Sequence, residues 1–336
     1  MKKINIGVIG AGRIGRIHAR NLKFQIPGAK IIAIADVVIE SAKKLSDELG
    51  VPVYEEDYRR LLKNDEIQAV IICSSTDTHA QIMMEAAEAG KDIFCEKPIA
   101  LEMEKIDRAL AAVNRAGVKL QVGLNRRFDP SFKKAKELVE TGKIGTPHLL
   151  RISSRDPQPP PLDYIKVSGG LFLDMMIHDF DMARYLLREE VTEIMATGHC
   201  LIDSSIWTCG DIDTAIVLLK FQSGALGAID NSRQAVYGYD QRIEVFGSEG
   251  SVVVENKTPT EVTLHNAESI QSDKPLHFFL ERYQEAYLAE MSHFVTCILE
   301  ARKPCVGGLD GKISVAMGYA ALESLNRGRF VKVNMD

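Results

Sequence analysis

The string Gly10-Ala11-Gly12-Arg13-Ile14-Gly15 follows the apolar run Ile4–Ile9 and opens a helical pattern. That junction restricts the fold more than any other feature of the chain. In a strand-to-helix turn of this spacing Gly10 makes the tight turn, Gly12 lets the backbone approach a pyrophosphate, and Gly15 lets helix and strand pack closely. The helix N-terminus, with Arg13 and Ile14, then turns free N–H groups toward the phosphates. Glycine turns also arise for purely structural reasons. Here, however, the next apolar run ends in Asp36, 21 residues after Gly15, near the spacing at which an acidic side chain accepts hydrogen bonds from ribose hydroxyls. A dinucleotide site is therefore expected. A carboxylate about 4 Å from a 2′-phosphate is repelled by about 4 kcal/mol per charge pair at an effective dielectric of about 20. Val37 and Val38 bring no cation, so the expected cofactor is NAD rather than NADP.

The short apolar runs Ile4–Ile9, Lys30–Ala35, Ala69–Cys73, Asp92–Cys95 and Lys119–Val122 alternate with helical patterns, which reads as a doubly wound parallel sheet. In Leu101–Ala116, for example, Met103, Ile106, Leu110 and Val113 recur at helical steps before Gly117, so one apolar stripe packs on the sheet. Beyond residue 123 the texture changes. The expected elements are a helix near Ser131–Thr141, a proline-rich loop over Asp156–Pro161 and a long apolar helix from about Leu171 to Leu187. A hairpin of Thr214–Phe221 with Leu226–Asn231 and a strand at Arg242–Val245 follow. Tyr287, Met291, Phe294, Val295 and Ile298 lie at helical spacing near the end. The fold class expected is α/β: a Rossmann domain over 1–123, then an α+β domain with a largely antiparallel open sheet over 124–336, whose last helices can pack back on the first domain.

Composition excludes several functions. Lys and Arg number 41 against 46 Asp and Glu, a net charge of −5, which leaves no diffuse basic surface for nucleic acid. No run of about 18 apolar residues suggests a membrane span. Met1-Lys2-Lys3 before Ile4–Ile9 is read as the approach to a strand, because that run is short and Arg13, Arg16 and Arg20 follow. Cys73, Cys95, Cys200, Cys209, Cys297 and Cys305 form no C-x-x-C pair and no metal-finger spacing, so a reducing cytoplasm is expected.

Residues at the later strand ends face the same crevice as the glycine loop. Ser74, Ser75 and Thr76 follow one run, and Glu96-Lys97-Pro98 follow the next. His79, at the start of the following helix, either touches the cofactor or caps and packs that helix. Pro98 fixes the chain beside Lys97 and cannot continue a central strand. In Leu171–Leu187, Asp174, His178, Asp181 and Tyr185 fall at steps of four, three and four and share one helical face. A polar stripe on so apolar a helix lines a cavity or forms a satisfied buried network. Asp-x-x-x-His offers a metal only two ligands, and no metal is expected. Oxidising a secondary alcohol requires a base for its hydroxyl proton, and an imidazole with an ordinary pKa near 6.5 suits neutral pH. His178 is the candidate base, Asp174 the carboxylate that orients it, and Lys97 the cation that stabilises the alkoxide.

Gly10–Gly15, Glu96-Lys97-Pro98 and Gly169-Gly170-x3-Asp174-x3-His178-Asp179 resemble the Gfo/Idh/MocA oxidoreductases, and the likeness spans nearly the whole chain. Asn125-Arg126-Arg127-Phe128-Asp129, Ser154-Arg155-Asp156-Pro157 and the run Tyr164–Arg184 are most similar to inositol-oxidising members. The resemblance implies NAD-dependent oxidation of myo-inositol to scyllo-inosose by Lys97, Asp174 and His178. It further implies that Arg127, Asp156, Tyr237 and Tyr283 contact the polyol together with Asp174 and His178, with Asn125 beside them in sequence. Members with the same Lys, Asp and His that oxidise another cyclic polyol or a pyranose sugar are the alternative. The resemblance also implies that the open sheet face joins subunits, usually into a homotetramer.

Overall fold

The computed structural model describes residues 3–334; Met1 and Lys2 of the expected approach to the first strand lie outside them. Internal contacts divide the chain into two compact units. The first runs to Phe128 and also takes Glu285–Ile313; the second comprises Asp129–Gln284 and the chain from Ser314 onward. Where the sequence suggests one cut after residue 123, the first unit is thus discontinuous. The physical reason lies in its core, where Met291, Phe294 and Val295 join Ile4, Val8, Ile34 and Phe94 in one buried cluster.

The sheet of the first unit contains β1 (Ile4–Ile9), β2 (Ala29–Ala35), β3 (Val53–Glu55), β4 (Ala69–Ile72), β5 (Asp92–Glu96) and β6 (Leu120–Gly123). Every pair is parallel, in the order β3-β2-β1-β4-β5-β6. That is the doubly wound order, and it reverses between β1 and β4, where a crevice opens outside the strands' carboxyl ends. Helices α1 (Arg13–Phe24), α2 (Ile39–Leu49), α3 (Arg59–Leu62), α4 (Thr76–Glu88) and α5 (Met103–Ala116) connect the strands. In α5, Ile106 and Val113 of the expected apolar stripe are buried. The short β3 carries no apolar run, and its Val53 and Tyr54 are exposed at the sheet edge.

The second unit begins with α6 (Pro130–Glu140), whose N-cap Asp129 accepts from the N–H groups of Ser131 and Phe132. It continues through β7 (Pro147–Arg155), α7 (Leu162–Ser168), a π-helical turn at Leu171–Met175 and α8 (Ile177–Leu187). Then come β8 (Val191–His199), α9 (Ser204–Thr208), β9 (Thr214–Phe221), β10 (Leu226–Ser232), β11 (Asp240–Gly247), β12 (Gly250–Val254) and the small β13 (Thr263–His265) and β14 (Ile270–Ser272) pair. The chain closes with α10 (Phe279–Arg282), α11 (Gln284–Leu299), α12 (Gly308–Arg327) and β15 (Val331–Lys332). The large sheet has the order β12-β11-β7-β10-β9-β8-β15. Only β7 with β10 is parallel; the other neighbours are antiparallel. The expected hairpin is β9 with β10, registered from Leu226 opposite Lys220 to Ser232 opposite Thr214.

Alternation along these strands puts Val217, Leu219, Ile229, Ile243 and Val245 into the core. Leu149, Ile216, Leu218, Leu226 and Phe246 remain exposed on the other face. The six cysteines are free thiols. Among the described residues no helix is long and apolar enough to cross a membrane.

Candidate active site

In the first unit the glycine loop is built by close approach. Gly10 has φ +100°, and a Cβ there would stand 2.5 Å from the Cys73 carbonyl, so only glycine passes. A Cβ on Gly15 would stand 1.9 Å from the Gly10 carbonyl oxygen, whereas one on Gly12 would meet nothing within 4 Å. Gly12 is the N-cap of α1, and no side chain caps the first N–H groups of that helix. Open space in front of uncapped N–H donors is what a pyrophosphate requires, so these residues fit a dinucleotide. Arg13 is exposed and Ile14 half-buried at the helix start. Asp36 follows β2, and its carboxylate accepts from the Ala11 N–H at 2.7 Å and the Val38 N–H at 2.8 Å, which fixes it beside the loop.

The next two strand ends are tied together by His79. Its Nδ1 lies 2.8 Å from the Pro98 carbonyl oxygen and its Nε2 3.1 Å from that of Ser74. Burial holds this imidazole below its ordinary pKa, against the raising effect of both carbonyls. Thr76 begins α4, and the Thr78 hydroxyl donates to Ser74 Oγ at 2.7 Å. The half-buried Lys97 is joined to Pro98 by a cis peptide.

Behind Lys97 lies a buried polar cluster. Glu96 Oε1 is 2.7 Å from His18 Nε2, and Glu290 Oε1 is 3.8 Å from the same nitrogen. Phe94 and Tyr287 meet the His18 ring edge-on. Burial, then the charge of Glu96, raises the Glu290 pKa well above the usual carboxylate range. Ligand atoms of His18, Glu96 and Glu290 lie within 4.8 Å of one another, yet the His18–Glu96 distance is that of a charge-assisted hydrogen bond. Asn125 is 3 % exposed, and among the described residues its Nδ2 has no hydrogen-bond partner. Arg127 pairs with Asp310 at 2.8 Å.

In the second unit Asp174 lies in the π-helical turn and His178 in the first turn of α8. The regular helix expected over 171–187 is therefore wound differently at its start, and the simple 100° spacing does not apply across Asp174. Both side chains are half-buried, whereas Asp181 is buried. Asp179 turns inward, accepting from Ser154 Oγ at 2.5 Å and Asn231 Nδ2 at 2.9 Å. That pins α8 to β7 and β10 and so sets the position of its neighbour His178.

Asp174 accepts from the Tyr164 hydroxyl at 2.8 Å and lies 3.6 Å from Arg233 Nη1. Gly170, at φ +78°, leaves space where a Cβ would come within 2.6 Å of Asp211 Oδ1, and that oxygen accepts from the Leu171 N–H at 2.9 Å. Asp156 is held through its backbone to Ser232 and Ala235. Tyr237 donates to Asp240 at 2.5 Å. Tyr283 is 2 % exposed and donates to Gln241 in the network beneath α8, a core position that its expected polyol contact did not foresee.

Residues 4–124 match the family described as oxidoreductase, NAD-binding Rossmann fold, and residues 132–253 match the GFO/IDH/MocA C-terminal domain. The chain is 51% identical over 330 residues to myo-inositol 2-dehydrogenase of Thermotoga maritima, covering 98% of each. The chain belongs to the GFO/IDH/MocA oxidoreductase family. Residues 4–124, within its first unit, are the family's NAD-binding Rossmann domain. Among solved members, scyllo-inositol dehydrogenase of Lactobacillus casei with NAD(H) and scyllo-inositol is 33% identical, covers 99% of both chains and superposes with a TM-score of 0.92. Myo-inositol dehydrogenase of Lactobacillus casei with NAD(H) and myo-inositol is 26% identical, covers 99% of this chain and 97% of that one, and superposes with a TM-score of 0.89.

Sequence reasoning did not single out Arg233 and Asp211, which lie beside Asp174 and the start of its turn in the second unit, or His18 and Glu290, which cluster with Glu96 in the first. Arg233 stands one residue after β10, and nothing in a single sequence separates a buried arginine from a surface one. Gly169-Gly170 was the available signal for Asp211, since a glycine pair leaves space for another side chain.

Proposed function

We propose that this chain oxidises myo-inositol to scyllo-inosose with NAD. The observation that carries the reading is the 51% identity, over 98% of both chains, to a protein named myo-inositol 2-dehydrogenase. The local chemistry supports it: a half-buried His178 follows an Asp174 already anchored by Tyr164. Bound NAD accepts the hydride from the carbinol carbon. Gly10, Gly12, Gly15, Arg13 and Ile14 hold the pyrophosphate side, Asp36 the adenosine ribose, and Ser74, Thr76, Glu96 and Lys97 the crevice wall. His79 serves by joining the two crevice loops. His178 takes the hydroxyl proton, Asp174 steadies the resulting imidazolium, and the Lys97 ammonium offsets charge on the substrate oxygen as the C–O bond becomes a carbonyl.

Asn125 and Asp156 are the proposed hydroxyl contacts. Arg127, which pairs with Asp310 at 2.8 Å, is a further proposed hydroxyl contact. Tyr237 and Tyr283, bonded to Asp240 and Gln241, are the other proposed polyol contacts. A site built to hydrogen-bond hydroxyls discriminates strongly against analogues lacking them.

The likeness to a scyllo-inositol dehydrogenase favours a second reading, in which another cyclic polyol is preferred. Relative kcat/KM over myo-inositol, scyllo-inositol and pyranose sugars, each with NAD and NADP, decides between them. A best rate on myo-inositol with NAD is expected; a better rate on any other member of the panel overturns the choice of substrate. The exposed apolar sheet face is proposed to join copies of the chain into a homotetramer, and six free thiols suit a cytoplasmic setting.

A further inference from the structure

Arg233 is among the largest fully buried side chains of the protein, 1 % exposed. A guanidinium stays charged at any working pH, and burying one uncompensated costs several kcal/mol. Its compensation is specific. Nη1 lies 3.6 Å from Asp174 Oδ2, and Nη2 lies 3.6 Å from Asp211 Oδ2. The Arg233 backbone is fixed by its N–H donating to the Asp213 carbonyl at 2.9 Å. Asp211 in turn accepts from the N–H of Leu171, the first residue of the π-helical turn that carries Asp174.

Asp174 is therefore held from two directions. Asp211 anchors the backbone at the start of its turn, and Arg233 attracts its carboxylate. Among the described residues Arg233 Nε and Nη2 and Asp211 Oδ2 have no hydrogen-bond partner, so the Arg233–Asp211 contact works by charge at 3.6 Å rather than by a directional bond. The Tyr164 hydroxyl donates a directional bond to the other Asp174 oxygen, Oδ1, at 2.8 Å. Arginine is the residue suited to such a place, because lysine is a compact, strongly hydrated charge that tolerates burial poorly.

We infer that Arg233, seconded by Asp211, is a positioning residue for Asp174 and through it for proton removal at His178. This rests on the role given to Asp174 under the proposed function. The test uses the full-length enzyme with NAD and myo-inositol, comparing Arg233→Gln, Arg233→Lys, Asp211→Asn and Asp174→Asn by kcat, both KM values and the solvent deuterium isotope effect on kcat. Arg233→Gln should lower kcat roughly ten- to a hundredfold, as expected for a misplaced acid–base group. KM for NAD should stay unchanged and the isotope effect should rise, with Arg233→Lys intermediate. A merely structural role would lower the active fraction and leave the isotope effect untouched.

A folded Arg233→Gln enzyme with wild-type kcat, or with lowered kcat but an unchanged isotope effect, overturns the inference. If that variant does not fold, Asp211→Asn decides by the same two readings. Full activity in Asp174→Asn would instead sink the role of Asp174 itself, and Arg233's with it. Loss in Asp174→Asn with full activity in Arg233→Gln sinks only the inference about Arg233.

Discussion

His18 Nε2 stands 2.7 Å from Glu96 Oε1 in a site where His18 is wholly buried, so α1, which follows the glycine loop, is tied to the strand end that leads into Lys97. Glu290 completes the cluster as a fully buried acid. Its folded pKa is raised, so its contribution to stability is fully present below the unfolded value of about 4.3 and is lost as pH rises through the folded value. Glu290→Gln cannot ionise and lacks that slope. The melting temperature of the variant minus that of the wild type should therefore grow as pH is raised from about 5 to about 9. Thermal unfolding by circular dichroism at several pH values checks this; a difference that stays flat with pH contradicts a raised Glu290 pKa.

Gly12 and Gly15 should respond in opposite ways to alanine. At Gly15 the new Cβ meets the Gly10 carbonyl at 1.9 Å, and overpacking of this kind costs roughly 1–3 kcal/mol or more. At Gly12 nothing stands within 4 Å, so the fold should keep its melting temperature while NAD affinity falls at least tenfold. Melting curves with NAD titration separate the two, and equal behaviour of both variants would remove the pyrophosphate role from Gly12.

Asp36, the proposed ribose contact, also holds the Ala11 N–H. Asp36→Ser should weaken NAD binding and raise the kcat/KM ratio of NADP to NAD by roughly ten- to a hundredfold, within the bound of about 4 kcal/mol set by charge repulsion. An unchanged ratio would mean that another group excludes the 2′-phosphate.

The parallel sheet was legible because its strands are buried on both faces and stand out as continuous apolar runs, as in Ala69–Ile72. Its edge strand Val53–Glu55 was not, since two exposed residues and one half-buried residue carry no period. Asp174 and His178 were legible as polar positions on an apolar helix. The π-helical turn beneath Asp174 was not, because its winding depends on Asp211 accepting from Leu171 across 40 residues. Tyr283 illustrates the same limit: its hydroxyl could be matched to a polyol by likeness, but its burial against Gln241 is a tertiary fact.

The outer sheet face offers a test of assembly. Ile216 and Leu218 are 51 % and 45 % exposed, and exposed apolar residues on one sheet face fit the assembly proposed above. Ile216→Lys with Leu218→Lys should shift the mass measured by light scattering from tetramer to smaller species, with the monomer's circular dichroism retained. A wild-type mass for the double variant would place the interface elsewhere.

The most direct measurement is the initial rate of NADH formation from NAD and myo-inositol by the wild type, Lys97→Ala and His178→Ala, with NAD binding measured separately. Turnover by the wild type and a fall in kcat of about 10²–10⁴ in each variant, with NAD still bound by His178→Ala, is the predicted result. Wild-type turnover by either variant would contradict the account.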